Sequence, residues 1–261
     1  MPALPKGDLL MSVSVMWKEL TAADLRAKAQ AGAVVLLPVA SMEQHGPHLP
    51  VGVDTYLSEG VCKATAEAIA DEMPIVVAPT LWCGMAEHHM AFGGTFTFDI
   101  PTYRAVLLCL LNSVRRHGFT RVLIVNGHGG NVHALAAFLP DLARETGLAV
   151  RVTTPHEAAK PALARILEDQ EGVHHACEAE TSMMMVVAPD TVRREKLPDA
   201  HGPATSSAPP AGIARYRPFR DVTPSGVIGD ARRSNAQKGE KLMSACSDGI
   251  AAVLRNPATW S

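Results

Sequence analysis

Four short runs, AVVLLPVAS, IVVAP, RVLIVNG and LAVRVT at residues 33–41, 75–79, 121–127 and 148–153, are largely apolar, rich in β-branched residues and without regular alternation. An alternating strand can leave one face in water. A strand without alternation must be covered on both faces, which is the situation inside a parallel sheet. The text between the runs supplies the covering layers: YLSEGVCKATAEAIADEM, TYRAVLLCLLNSVRRHG and NVHALAAFLPDLARETG each carry charge on one side and end near Gly or Pro. Before the first run, TAADLRAKAQAG opens with a Thr21-x-x-Asp24 capping-box pattern and stops at Gly32, predicting a short helix; SNAQKGEKLMSACSDGIAAVLR predicts a final amphipathic one. Alternating elements of these lengths predict an α/β fold, a single layered α/β/α domain over residues 1–261 with a mostly parallel central sheet. Residues 198–226, rich in Pro, Gly, Ser and Ala, are expected to form a long loop at the pocket mouth or a subunit contact.

Composition narrows the function. A chain of 261 residues with 47% hydrophobic content can bury one full-sized core. A net charge of -2, from 24 basic and 26 acidic residues, leaves no electrostatic footprint for nucleic acid, and no Lys/Arg block suits an anionic membrane. A small molecule is the expected partner. Cys62, Cys83, Cys109, Cys177 and Cys246 are scattered and never form C-x-x-C, so neither a disulfide framework nor a zinc knuckle is expected, and a reducing cytoplasm fits. Apolar stretches of about ten residues fall short of the ~20 that span a bilayer. The first twenty residues, with Asp8, Lys18 and Glu19 and no small-residue cleavage site, suggest no export.

Chemistry concentrates where strands are expected to end. The first run leads into EQHGPHLP, which places Glu43, His45 and His48 just ahead of Asp54; the third leads into NGHGGN, with His128 in a glycine-rich turn. A sheet of this type presents its functional loops at the carboxyl ends of its strands, so both segments should face one crevice. Unpaired buried charges are costly, which makes a Pro-pinned Glu and His at a buried strand end a poor way to build an ordinary turn. A third cluster, EGVHHACEAETSMMM, offers His174, His175, Glu178 and Glu180 at a helix start. Two helical residues two apart point about 200° apart, so on a regular turn at most one of the two glutamates should enter the site. Glu180 is preferred, because Thr181, Ser182 and the Met run after it suggest an inward turn. His117, His133, His156 and His201 have nothing convergent around them and read as surface or satisfied core residues.

Taken together, Glu43-x-His45-Gly-x-His48-Leu-Pro, Asp54, NGHGGN, EHHMAFGGTFTF, HACEAETS and GVIGDARRSNAQKGEKL resemble the creatininase (creatinine amidohydrolase) family, over about residues 15 to 255. The resemblance implies a small α/β domain, usually in a hexamer, with a binuclear metal centre that hydrolyses an amide-type C–N bond. By motif, Glu43 and His128 would hold one metal, His45 the other, and Asp54 would bridge them. Two such cations would make a nucleophile of a bridging water by lowering its pKa towards ~7. Mixed His/carboxylate ligation suits Zn, Mn or Fe. His175 matches the family's catalytic histidine and would donate a proton to the departing amine, a step worth ~10²–10⁴-fold. His48, Glu87 and His88 would lie on the substrate side with Gly129 and Gly130, His88 belonging either to this site or to a neighbouring subunit's.

The chain also departs from the family's namesake enzyme. There the turn after the NGH motif carries Tyr and Glu, the Glu being a ligand of the second metal; here the positions are Gly129 and Gly130. Glu180 is the expected replacement, giving it both a ligand's and a catalytic place, with a single-metal centre as the alternative. Tryptophans that surround creatinine in the namesake have no counterpart in residues 140–180, so creatinine is not the expected substrate. The expectation is a cytoplasmic, homo-oligomeric, metal-dependent amidohydrolase for a cyclic amide, a formamide or a small peptide-like bond. The alternative is a catalytically altered metal- or ligand-binding protein of the same fold. A serine hydrolase would need G-x-S-x-G and a Rossmann protein G-x-G-x-x-G after its first strand; neither is present.

Overall fold

A computed structural model describes residues 14–168, 170–206 and 210–261. The reading of the chain start as lacking an export segment therefore lies largely outside the described residues, as do residues 207–209 of the expected long loop. The first helix, α1 (Ala22–Gln30), starts at the anticipated capping box, with Thr21 and Asp24 exchanging side chain and backbone hydrogen bonds. Then follow β1 (Val34–Val39), α2 (Val53–Ile69), β2 (Ile75–Val77), α3 (Ile100–Arg116), β3 (Arg121–Asn126), α4 (Val132–Thr146) and β4 (Ala149–Thr153). Two short turns, α5 (Pro155–Ala158) and α6 (Lys160–Leu163), lead to α7 (Glu178–Val187), the short α8 (Phe219–Val222) and the long α9 (Ala236–Arg255).

All four strands pair in parallel, in the order β2-β1-β3-β4. Their continuous apolar character has the expected cause, since successive residues feed opposite layers. Val34, Leu36, Ile75, Val77, Leu123 and Val125 pack with α2, α7 and α9, while Val35, Leu37, Val76, Val122, Ile124 and Val150 pack with α3 and α4. The α/β/α reading of the sequence holds.

This strand order fixes where a ligand can sit. From β1 the chain runs outward to β2 and then returns to place β3 on the other side of β1, so the order reverses between β1 and β3. Loops leaving such neighbouring strands diverge and open a crevice at their carboxyl ends. Val39 and Asn126, the last residues of β1 and β3, are in register there.

One boundary differs from the sequence reading in a way that matters. Helix α2 begins at Val53, with Gly52 as its N-cap, and not near Tyr56, so Asp54 lies in the first helical turn. A helix N-terminus favours an anion, and Asp54 is buried there. The segment 198–226 is mostly irregular among its described residues, with α8 its only α-helix. It is tied down where Gly202 N donates to Gly229 O at 3.0 Å and Thr223 Oγ1 to Val227 O at 2.7 Å. The five cysteines are free thiols. Among the described residues no helix is long and apolar enough to cross a membrane.

Candidate metal centre

The crevice between β1 and β3 collects the acidic and imidazole groups flagged in the sequence. The loop after β1 is pinned by Glu43 N donating to Val51 O and by Phe96 N donating to Met42 O, which sets Glu43 at the sheet end. His128 follows β3 directly. Its Nδ1 lies 3.1 Å from both Glu43 Oε2 and Asp54 Oδ2. On the other side, His45 Nε2 lies 3.2 Å from Asp54 Oδ1 and 3.8 Å from Glu180 Oε2. The two oxygens of Asp54 thus face two different donor groups, Glu43 with His128 and His45 with Glu180. His175 adds a third grouping with Glu43 and His45, its Nδ1 standing 3.6 Å from Glu43 Oε1.

The second sphere of contacts decides which ring nitrogens are presented. A backbone carbonyl can only accept, so the ring nitrogen that meets one carries the proton. His45 Nδ1 donates to Glu43 O at 3.1 Å, His128 Nε2 to Met85 O at 3.1 Å and His175 Nε2 to Gln44 O at 2.8 Å. In the neutral rings this leaves His45 Nε2, His128 Nδ1 and His175 Nδ1 as lone pairs aimed at the carboxylates, the arrangement that orients metal-ligating histidines. His89 braces Glu43 from behind. Its Nδ1 accepts from Gln44 Nε2 at 3.1 Å, and its Nε2 then faces Glu43 Oε1 at 3.4 Å.

Whether this set suits a cation is tested by its unsatisfied atoms. Glu43 Oε2, His45 Nε2 and Asp54 Oδ2 are buried and make no hydrogen bond, although charged neighbours lie 3.1–3.2 Å away. Groups that close without hydrogen-bond geometry are arranged around common points, and a buried anion without a donor is costly unless a cation is shared. The donor set fits divalent metal.

Electrostatics agrees. Burial alone would favour a neutral His45, but Asp54, with Glu180 and Glu43, outweighs it and lifts the ring to about 9. Burial likewise opposes a charged His128, yet Glu43 and Asp54 hold it well above its ordinary value. Desolvation raises Glu180 to about 7 against the pull of His45. Desolvation, with His45 beside it, holds the partly buried His175 well below the ordinary histidine value.

The remaining candidates separate clearly. Glu178 points away from the crevice and pairs with Lys238 of α9, while Glu180 faces His45, so the two do not both enter, as expected of residues two apart on a helix. His48 is fully buried but lies outside the cavity wall, with its Nε2 2.7 Å from Thr181 Oγ1, so it braces α7 and does not face a substrate. Glu87 is exposed and also outside the wall. His88, Gly129 and Gly130 do line the cavity, which measures about 470 Å³. His156, read from sequence as a bystander, lines it too, with Nδ1 shut off from solvent and burial lowering its pKa to about 4. His89 and Phe219 were not singled out by the sequence. Phe219, from α8, closes the wall with its ring 4.2 Å from that of His89 and 4.7 Å from that of His175.

Comparison with known proteins gives the same direction. The model of the creatininase (creatinine amidohydrolase) family matches residues 18–254. Creatinine amidohydrolase of Pseudomonas putida is 31% identical over 262 residues, covering 94% of this chain and 98% of its own length. Mycofactocin precursor peptide peptidase of Mycolicibacterium smegmatis is 31% identical over 232 residues, covering 85% and 84%. Two solved creatininase structures, the second a Mn form, align with TM-scores of 0.79 at 30% and 29% identity, each covering 93% of this chain and 97% and 98% of theirs.

Proposed function

The chain belongs to the creatininase family, and from that premise we propose that it is a metal-dependent amidohydrolase with two divalent ions per chain, Zn, Mn or Fe. The observation that carries this is the split of the Asp54 carboxylate between two donor groups, each holding a buried atom with no hydrogen bond. Glu43, His128 and Asp54 would hold one ion; His45, Glu180 and Asp54 the other. Bound there, the ions would polarise the scissile carbonyl and lower the pKa of a water towards ~7.

Glu180 is proposed for the place that a turn carboxylate fills in the namesake enzyme. A Cβ at Gly130 would stand 2.3 Å from Met85 O and 2.4 Å from His128 Nε2, the two atoms of the hydrogen bond that orients His128. The turn that locks His128 therefore excludes a side chain at 130, and the carboxylate must come from elsewhere.

The proton steps fall to His175. Its Nε2 is held by the Gln44 carbonyl, which leaves Nδ1 as the lone pair beside Glu43 Oε1, and the residue lines the cavity. It takes the proton of the attacking water and returns it to the departing nitrogen, a role worth ~10²–10⁴-fold. Phe219 and His88 wall the substrate in.

A substrate larger than creatinine is favoured. A second cavity, also about 470 Å³, shares His156, Glu157, Val173 and His174 with the first and adds Lys160, Gln170 and Glu171, polar groups suited to the tail of a peptide-like amide. Homo-oligomers, hexamers by family resemblance, are supported by exposed Trp82 and Phe96, packed edge to face at 5.4 Å, with Tyr56 and Val51 also exposed. The free thiols suit a cytoplasmic setting, and the net charge of -2 offers nothing to nucleic acid.

The test is amine release from creatinine, N-formyl amino acids and short peptides by chelated and Mn²⁺- or Zn²⁺-reloaded protein. Turnover of an N-acyl or peptide bond only after reloading is expected. Turnover that survives chelation would overturn the metal dependence.

A further inference from the structure

The segment SNAQKGEK, residues 234–241, lines no part of the cavity at the candidate metal centre, yet it makes a dense set of polar contacts with the helix that carries Glu180. Lys238, 8% exposed, uses its ammonium on three acceptors: the Glu178 carboxylate, Glu168 Oε1 at 2.7 Å and Arg233 O at 2.9 Å. Three donors meet three acceptors, which leaves the ammonium one orientation. Glu178 is held at other points too, as its Oε2 accepts from Glu168 N at 3.2 Å and its carbonyl from Ser234 Oγ at 3.1 Å. One turn further along, Asn235 N donates to Ser182 Oγ at 3.2 Å, and Gly239 lies so close to α7 that a Cβ there would be 2.0 Å from Ser182 O.

These contacts grip the face of α7 opposite the crevice. Glu178 and Glu180 are separated by about 200° of helical rotation, so fixing one fixes the direction of the other. The demand is stringent. A rotation of about 20° moves a group at the ~5–6 Å side-chain radius of a helix by about 2 Å, whereas metal–ligand distances must hold to ~0.2 Å. A well-packed apolar pair would hold the two helices together about as firmly as a buried ion pair, but it would not set their rotation so sharply.

We propose that Lys238 is a positioning residue for the metal centre: by anchoring Glu178 it fixes the rotation of α7 and so aims Glu180 at His45 and Asp54. This rests on the reading of Glu180 as a ligand of the second ion. Lys238 touches neither the cavity nor a ligand atom and acts only through the helix.

The experiment is two-site Mn²⁺ titration calorimetry, with thermal midpoints alongside, on wild type, Lys238→Met, Glu178→Gln and Glu180→Gln. Glu178→Gln weakens the anchor while Lys238 keeps Glu168 and the Arg233 carbonyl, so it serves if Lys238→Met fails to fold. The expected result is at least a tenfold weaker affinity at one site in Glu178→Gln and Lys238→Met, with the other site within twofold of wild type. Lowered thermal midpoints with both affinities unchanged would reduce Lys238 to a structural ion pair and overturn the proposal. Equal weakening at both sites would do the same, since it reports general loosening. Wild-type affinity at both sites in Glu180→Gln would instead remove the ligand reading, and the proposal with it.

Discussion

The two halves of the centre are built differently. Glu43, His128 and one oxygen of Asp54 come from segments that leave adjacent, paired strands or begin the helix after them, and His128 makes two contacts of 3.1 Å within the group. His45 and the other Asp54 oxygen share that scaffold, but Glu180 arrives on α7 from a distant part of the chain and stands 3.8 Å from His45. Its Oε2 also accepts from Ala176 N at 2.5 Å, and Ala176 holds a left-handed φ of 52°, rare for a residue with a Cβ. The first half is therefore preorganised by the sheet, and the second depends on a strained turn and a clamped helix. The first ion should bind more tightly than the second, and the two should be separable by mutation.

Asp54→Ala is the largest perturbation, because its two oxygens face both donor groups and it would take a proposed ligand from each. Loss of both ions and of turnover is expected by elemental analysis and amine-release assay; retention of two ions would remove the bridging role and the comparison with it. His175→Ala should leave both halves loaded and lower kcat by ~10²–10⁴-fold. Should it shed an ion first, the third grouping, with Glu43 and His45, is a ligand set and the proton steps belong elsewhere.

Smaller effects sharpen the contrast. His89→Ala removes the brace behind Glu43, and loss of such outer contacts costs about 10–100-fold in metal affinity. Titration should find that loss in the tighter site alone. Ala176→Gly relieves the left-handed residue, whose penalty for a non-glycine residue is about 1 kcal/mol, and should leave the thermal midpoint unchanged or slightly raised. Ala176→Val should lower it and weaken the second site.

The same division governs what could be read from sequence. The strands were legible because burial on both faces writes continuous apolar runs, and Glu43, His45 and His128 because they follow the ends of those runs; Asp54 was flagged with them although it lies in the first turn of α2. Helical geometry said only that Glu178 and Glu180 could not both face the crevice; the preference for Glu180 came from Thr181, Ser182 and the Met run after it, and the Lys238 contact now accounts for Glu178. What escaped depends on contacts distant in sequence or on irregular backbone. His88 and His89 are adjacent, and only the 3₁₀ turn Glu87–Phe92 decides that His89 is the buried one. His156 reaches the cavity because α5 starts straight after β4, beside β3, a neighbourhood that no local pattern encodes. Phe219 lies in a Pro/Gly-rich stretch whose fold over Glu87–Phe92 has no periodic signal; Arg220, whose Nη1 donates to Ala91 O at 3.4 Å, helps hold it there.

The most direct measurement is metal content per chain, by elemental analysis of protein purified without chelators, for wild type beside Glu180→Ala. Two ions falling to one is the expected result, with the remaining ion held by Glu43, Asp54 and His128. One ion in both proteins, or two in both, would contradict a second site completed by Glu180.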